Sequence, residues 1–139
     1  MIEAAIYELL TSDTVVTSIV SNRVYPLVAP QRAGAFQTHV VYQRISHVMN
    51  RPLNGPNGFT VDRWQFDCFA TDYDVAVTLA DSVRLVLDGF RGDAGGHGIQ
   101  RIMVLDGGET WEFETEGSEK IIVDARRDFS IVYGQALAA

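Results

Sequence analysis

The sequence predicts an α+β domain, a mostly antiparallel sheet with helices packed on one face. Two apolar stretches at helical spacing point to it, near the start of the chain and again over residues 72 to 90. The run Arg63-Trp64-Gln65-Phe66-Asp67-Cys68-Phe69-Ala70 alternates at strand period. The coarse order of elements reads α-α-β-β-β-α-β-β-β. The chain has 139 residues, 47% of them apolar. That suits one compact domain over residues 1–139, since a chain this long buries about two-thirds of its unfolded surface. No internal repeat or domain boundary interrupts it.

Ile2, Ala5, Ile6, Leu9 and Leu10 share one helical face, and Thr11-Ser12-Asp13 supplies cap residues for a second short helix through Val20. Asn22 ends that helix, and residues 23 to 25 read as a short strand stopped by Pro26. Residues 29 to 38 form a loop of small and polar groups. Residues 39 to 48 and 59 to 70 read as strands. The connector between them, 50 to 58, holds two prolines and two glycines, too long and broken for a tight hairpin turn. Asp72 caps a long helix on which Val75, Leu79, Val83, Leu87 and Phe90 make one apolar face. Three strands follow, over residues 99 to 105, 110 to 114 and 120 to 133, and residues 134 to 139 read as a frayed tail. In the 63 to 70 strand, Trp64, Phe66, Cys68 and Ala70 share the face expected under that helix. Cys68 is therefore expected as a small core hydrophobe.

The net charge is -7. Affinity for nucleic acid is largely cationic neutralisation of phosphate, so this balance argues against a protein that grips it. A single cysteine excludes an internal disulfide and a zinc site built from several thiolates. No apolar run approaches the roughly 20 residues that span a bilayer. The start, Met1-Ile2-Glu3-Ala4-Ala5-Ile6, has no basic segment or clear cleavage site of a signal peptide. The expectation is a soluble protein made in the cytoplasm.

Nothing in the sequence points to an enzyme. Gly92-Asp93-Ala94-Gly95-Gly96-His97-Gly98 resembles a phosphate-cradling loop only superficially, because such loops run from strand into helix and this one runs from helix to strand. It reads as a flexible connector. His39 and His47 are expected on one strand face, eight residues or about 27 Å apart at ~3.4 Å per residue, too far to share a metal. His97 stands alone, and no serine sits in a nucleophile elbow. No cofactor and no metal is implied.

Glu112, Glu114 and Glu116 alternate along one strand face, with Trp111 and Phe113 facing the other way. Like charges so close are tolerated only in water. Three readings stay open: a solvated face, an acidic wall along a channel, or a metal site, although the run lacks the tight loop and mixed oxygen ligands of calcium sites.

Four ordered segments carry a resemblance: Tyr25-Pro26-Leu27-Val28-Ala29-Pro30-Gln31, Val40-Val41-Tyr42-Gln43-Arg44-Ile45-Ser46, Gln65-Phe66-Asp67-Cys68, and Leu79-Ala80-Asp81-Ser82-Val83-Arg84 leading to Leu87-Asp88-Gly89-Phe90. In this order the chain resembles, from its first helix to about Tyr133, the tail-completion or tail-terminator proteins of long-tailed phages and gene-transfer particles. The Gly-rich 92–98 loop and the short tail depart from that pattern. The resemblance implies a structural virion protein, assembled in the host cytoplasm and placed at the head–tail junction. It implies a ring of six copies on the end of the tail tube, which stops tube polymerisation and offers a joining surface to the head connector. Its partners would be itself, the major tail tube protein and the connector. DNA would pass through without specific binding, and no membrane is involved. A closing ring needs two different lateral patches on each subunit. The loops 29–38, 50–58 and 91–98 are material for them, with Arg51, Leu53 and Asn54 as candidate interface residues. Glu112, Glu114 and Glu116 are candidates for the channel wall, where negative charge would keep phosphates from sticking. The residues also leave open a small ligand- or protein-binding module of the same fold with no virion role.

Overall fold

The computed structural model describes residues 1–30, 36–50, 58–113 and 120–134. Its elements follow the expected order: α1 (Ile2–Thr11), α2 (Thr14–Val20), β1 (Val24–Pro26), β2 (His39–Asn50), β3 (Phe59–Ala70), α3 (Tyr73–Leu87), β4 (Gly92–Ala94), β5 (His97–Phe113) and β6 (Ile121–Gly134). Of the expected connector 50–58 and tail 134–139, residues 51 to 57 and 135 to 139 lie outside the described residues.

Local chemistry sets the helix starts. The Asp13 carboxylate accepts from the Val16 amide at 2.9 Å and begins α2, and Asp72 accepts from the Asp74 amide at 2.9 Å and begins α3. On α3 the buried stripe is Ala76, Leu79, Ala80, Ser82, Val83 and Leu87. Val75, expected on that stripe, is exposed. The small residues Ala76 and Ala80 let the helix sit close to the sheet, which turns Val75 to its flank.

The six strands form one sheet in the order β1-β2-β3-β6-β5-β4. It is a mixed sheet. β1 runs parallel to β2, while the other four neighbouring pairs are antiparallel. The parallel pair arises because the chain leaves β1 at Pro26 and travels through residues 27 to 38 before entering β2. The helices do not form a single layer either. α3 lies against β3, β6 and β5, whereas α1 touches α2, α3, β1 and β4.

Cross-strand partners share a face, so the register identifies the core. Val40, Tyr42, Trp64, Phe66, Cys68, Ala70, Val123, Ala125, Phe129 and Ile131 are buried on the core face. Phe66 meets Phe129 edge-on at 5.3 Å, and Tyr42 stacks on Phe66 at 5.9 Å. Cys68 is wholly buried among them, as expected, and burial pushes its thiol well above the ordinary range.

Three expectations need correction at the second half of the sheet. The Gly-rich 92–98 segment is not an irregular connector but a hairpin, with Ala94 opposite His97 and a two-residue turn of Gly95 and Gly96. Both turn glycines have positive φ, 55° and 81°, as a type I′ turn requires. The strands expected at 99 to 105 and 110 to 114 are one strand, β5, which continues through Gly107-Gly108. Gly107 faces Arg127, and a Cβ there would come within 2.9 Å of both the Arg126 carbonyl and the Arg127 side chain. Glycine here makes room and does not break the strand. Gly134, expected in the tail, ends β6.

The turn at Gly95 also docks α1. Its amide donates to the Glu8 carboxylate. A Cβ at Gly95 would lie 2.4 Å from the Ala5 amide nitrogen. Gly95→Ala therefore combines left-handed strain with a backbone clash, and we expect it to cost about 3 kcal/mol. Urea unfolding checks this, with Gly96→Ala, where nothing lies within 4 Å, losing clearly less.

Candidate functional site

Three β-bulges decide which side chains meet. β2 slips register between Arg44 and Ser46, and β5 slips between Ile99 and Arg101 and again between Val104 and Asp106. A one-residue insertion moves every later side chain to the other face. His39, opposite Phe69, and His47, opposite Asp62, therefore lie on opposite faces and not on one as the unbroken strand period suggested. His39 stacks on Phe69 at 5.0 Å and meets Phe36 at 5.3 Å. Its ring is held below the ordinary histidine range by burial, and nearby Arg23 acts in the same direction.

The bulge carries His47 to the core face beside Asp62, whose side chain is fully buried. Asp62 accepts from Arg44 Nε at 3.2 Å, Trp64 Nε1 at 3.0 Å and the Tyr133 hydroxyl at 3.0 Å, and His47 Nδ1 lies 2.6 Å away. The Arg44 guanidinium sits over the Trp64 ring at 5.2 Å. Burial first, then the bond to Asp62, pushes the Tyr133 phenol up to about 12. The network thus ties β2, β3 and β6 together with one carboxylate at its centre. Its sequence signal was present: Asp62 shares the parity of Trp64, Phe66 and Cys68.

The second face of the sheet is charged. Around its middle lie Asp67, Asp124, Asp128, Asp106 and Glu112 against Arg63, Arg101 and Arg126, an excess of carboxylates. Arg63 Nη2 donates to Asp128 at 2.8 Å, and Gln65 donates to Asp67 at 2.9 Å. Arg126 Nε and Asp128 Oδ1 are 3.5 Å apart, close enough to attract, yet neither atom has a hydrogen bond. Asp124 shares a hydrogen bond with Asp67. Burial, that bond and the Asp67 charge together push its carboxyl up to about 8.

The expected site residues are placed as follows. Glu112 is exposed on this second face, opposite Ile122 and near Asp124. Trp111 and Phe113 face the other way, as expected, 61% and 54% exposed and edge-to-face at 5.3 Å. Glu114 and Glu116, and the interface candidates Arg51, Leu53 and Asn54, lie outside the described residues. Among the described residues no three acidic, histidine or cysteine side chains converge as a metal site.

The arrangement is one of charged and apolar surfaces, and comparison with known proteins identifies its kind. Residues 4–126 match the family described as Tail completion protein gp17. The chain belongs to that family. A tail completion protein is a structural component of a virion tail, working among other tail and head proteins. The fold is also similar to a chain in a solved structure described as "Virion of native gene transfer agent (GTA) particle". The TM-score is 0.66 at 18% identity, and the match covers 96% of this chain and 94% of that one. At that identity the likeness speaks for the fold. No curated protein matches the chain.

Two outcomes follow from the charged groups of this tail completion protein. Asp62→Ala strands the Trp64 and Tyr133 donors and should cost about 3 kcal/mol in chemical denaturation, whereas Tyr133→Phe should cost about 1 kcal/mol. Asp124 binds its proton more tightly folded than unfolded. Its contribution is full below the ordinary carboxylate range near 4 and is lost as pH rises towards and through about 8. The wild-type melting temperature should therefore fall between pH 5 and 9, and Asp124→Asn should flatten that fall.

Proposed function

We propose that this tail completion protein forms a ring of six copies on the end of the tail tube, stops tube polymerisation and presents the joining surface for the head connector. The observation that carries this reading is membership of the tail completion family across residues 4–126. The fold is consistent with a ring subunit, because its exposed apolar side chains are spread over separate places: Leu27 and Val28 after β1, Ile45, Val48 and Met49 on β2, Trp111 and Phe113 on β5. Two distinct lateral patches are what a heterologous closed assembly needs. We place the 50–58 connector, with Arg51, Leu53 and Asn54, at a subunit or tube contact.

The charged second face is the natural lining of the bore, since α3 covers the other face at β3 and β6. Excess carboxylate there would repel DNA phosphates and let the genome slide through without specific binding. In this reading Glu112 extends the lining, and Glu114 and Glu116 continue it. The protein then resides in the virion at the head–tail junction after assembly in the host cytoplasm.

Tail length is the direct readout. Particles lacking the protein should show tubes of uncontrolled length or tails without heads in electron micrographs, restored by the wild-type chain. Tails of normal length joined to heads in its absence would refute the role. The lining has its own measurement. Changing Glu112, Glu114 and Glu116 together to lysine should leave tail length normal but slow DNA delivery, with the defect eased at higher salt as counterions compete for phosphate.

A further inference from the structure

We infer that the two bare edges of the sheet pair with each other across subunits, so that the β5 edge of one copy extends onto the β2 edge of the next and the ring closes as one continuous barrel. This rests on the ring proposed above. β1 covers the outer edge of β2 only as far as Tyr42. β4 covers β5 only over residues 97 to 99, and the segment after α3 bonds it at Ile102 and Val104. Among the described residues, the outer edges of 43–50 on β2 and 105–113 on β5 have no strand partner. A long bare edge with exposed apolar residues is a template for another chain.

The partner that fits is a second copy of this chain. The β2 edge carries Arg44 and His47 with exposed Ile45, Val48 and Met49. The β5 edge carries Asp106, Glu109 and Glu112 with exposed Leu105, Trp111 and Phe113. Within the subunit Arg44 and His47 already pair with Asp62, Asp106 with Arg126 and Glu109 with Arg127. The first edge still offers nitrogen donors where the second offers carboxylates, and both are partly apolar. Direction also agrees. β2, β3, β6 and β5 alternate in direction, so β5 of one copy meets β2 of the next antiparallel when the copies turn about a common axis.

The decisive point is where the bare edges lie. His47, near the middle of one, is level with Asp62, Ile131 and Ile102 across the sheet. Glu109, at the middle of the other, is level with Ala125, about six residue steps along β6 from Ile131. The edges are thus diagonal to one another, and each copy must join its neighbour with a stagger of about 20 Å along the strands for about 19 Å across four strands. That inclines the strands at about 45° to the axis, the tilt that closed barrels adopt. Edges at the same level would give upright strands and no such closure. Six copies at this inclination make a barrel about 50 Å across at the backbone, with the charged second face turned inward.

Centring His47 on Glu109 places Ser46 opposite Thr110, both exposed and both on the second face. The test is a Ser46→Cys, Thr110→Cys double variant, treated on purified tails with a short bis-maleimide. Neither position belongs to the Asp62 network, and buried Cys68 is shielded from the reagent. The double variant should give a ladder ending at the closed ring on a denaturing gel. A mixture of the two single variants should stop at dimers, and each single variant alone should give none. Rings visible by electron microscopy without a 46–110 link, or dimers from one single variant alone, would overturn edge pairing while leaving the ring. Absence of any ring on the tails would remove both.

Discussion

The unbroken pairing of β3 with β6 is the constraint on which the rest of the molecule depends. Its register runs from Phe59 opposite Gly134 to Ala70 opposite Val123 without a slip. Phe66 and Phe129 meet across it, and α3 closes over it. Only the flanking pairs, β2 with β3 and β5 with β6, contain bulges. The central pair therefore acts as a straight rail. Each outer strand can bend away from the core without disturbing the packing, because the extra residues are absorbed at Ile45, Gln100 and Leu105. Irregularity is confined to the two strands whose outer edges are only partly covered, by β1 and by β4.

The two faces of that rail meet different demands. The core face gains stability from close packing around Phe66, Cys68 and Phe129. The second face gains little from packing, and its charges oppose one another across the strands. Asp124 Oδ1, Arg126 Nε and Asp128 Oδ1 are buried there without a hydrogen bond. Such groups cost stability in an isolated subunit. If this face lines the bore as proposed, repulsion of a polyanion gives it reason to keep this charge density despite that cost. Arg127 shows the same economy on the other face. It reaches past Gly107 to lie 3.1 Å from Glu109 and 3.5 Å from Asp81, holding β5, β6 and α3 together with one side chain.

Much of this was legible in the residues. The N-caps Asp13 and Asp72, the bounds of β3 and the burial of Cys68 all follow from local rules, since caps and strand parity depend on nearby residues alone. The parallel β1 was not legible, because its partner is chosen by a crossing loop and not by its own three residues. The joining of two expected strands into β5 was hidden by Gly107-Gly108, where glycine answers a crowding neighbour on β6. The hairpin at 92–98 carried a recognisable Gly-Gly signal, outweighed by its position after a helix. The candidate site was least legible. One inserted residue at Ile45 decides whether His47 meets Asp62, and no periodicity within β2 announces it.

The latch between α1 and the β4–β5 turn has a consequence for synthesis. Glu8 and the Gly95 amide are separated by 87 positions in the chain. α1 leaves the ribosome first, yet the turn that Ala5 and Glu8 rest upon is made roughly 4–17 s later at ordinary elongation rates. During that interval Ile2, Ile6 and Leu10 have α2 and β1, and later α3, to lie against, but not the β4–β5 turn. The first helix of the chain is thus among the last to be locked. A truncated product that stops before α3 leaves the apolar stripe of α1 with only α2 and β1 to cover it, the kind of surface that chaperones and proteases of the translating cell recognise.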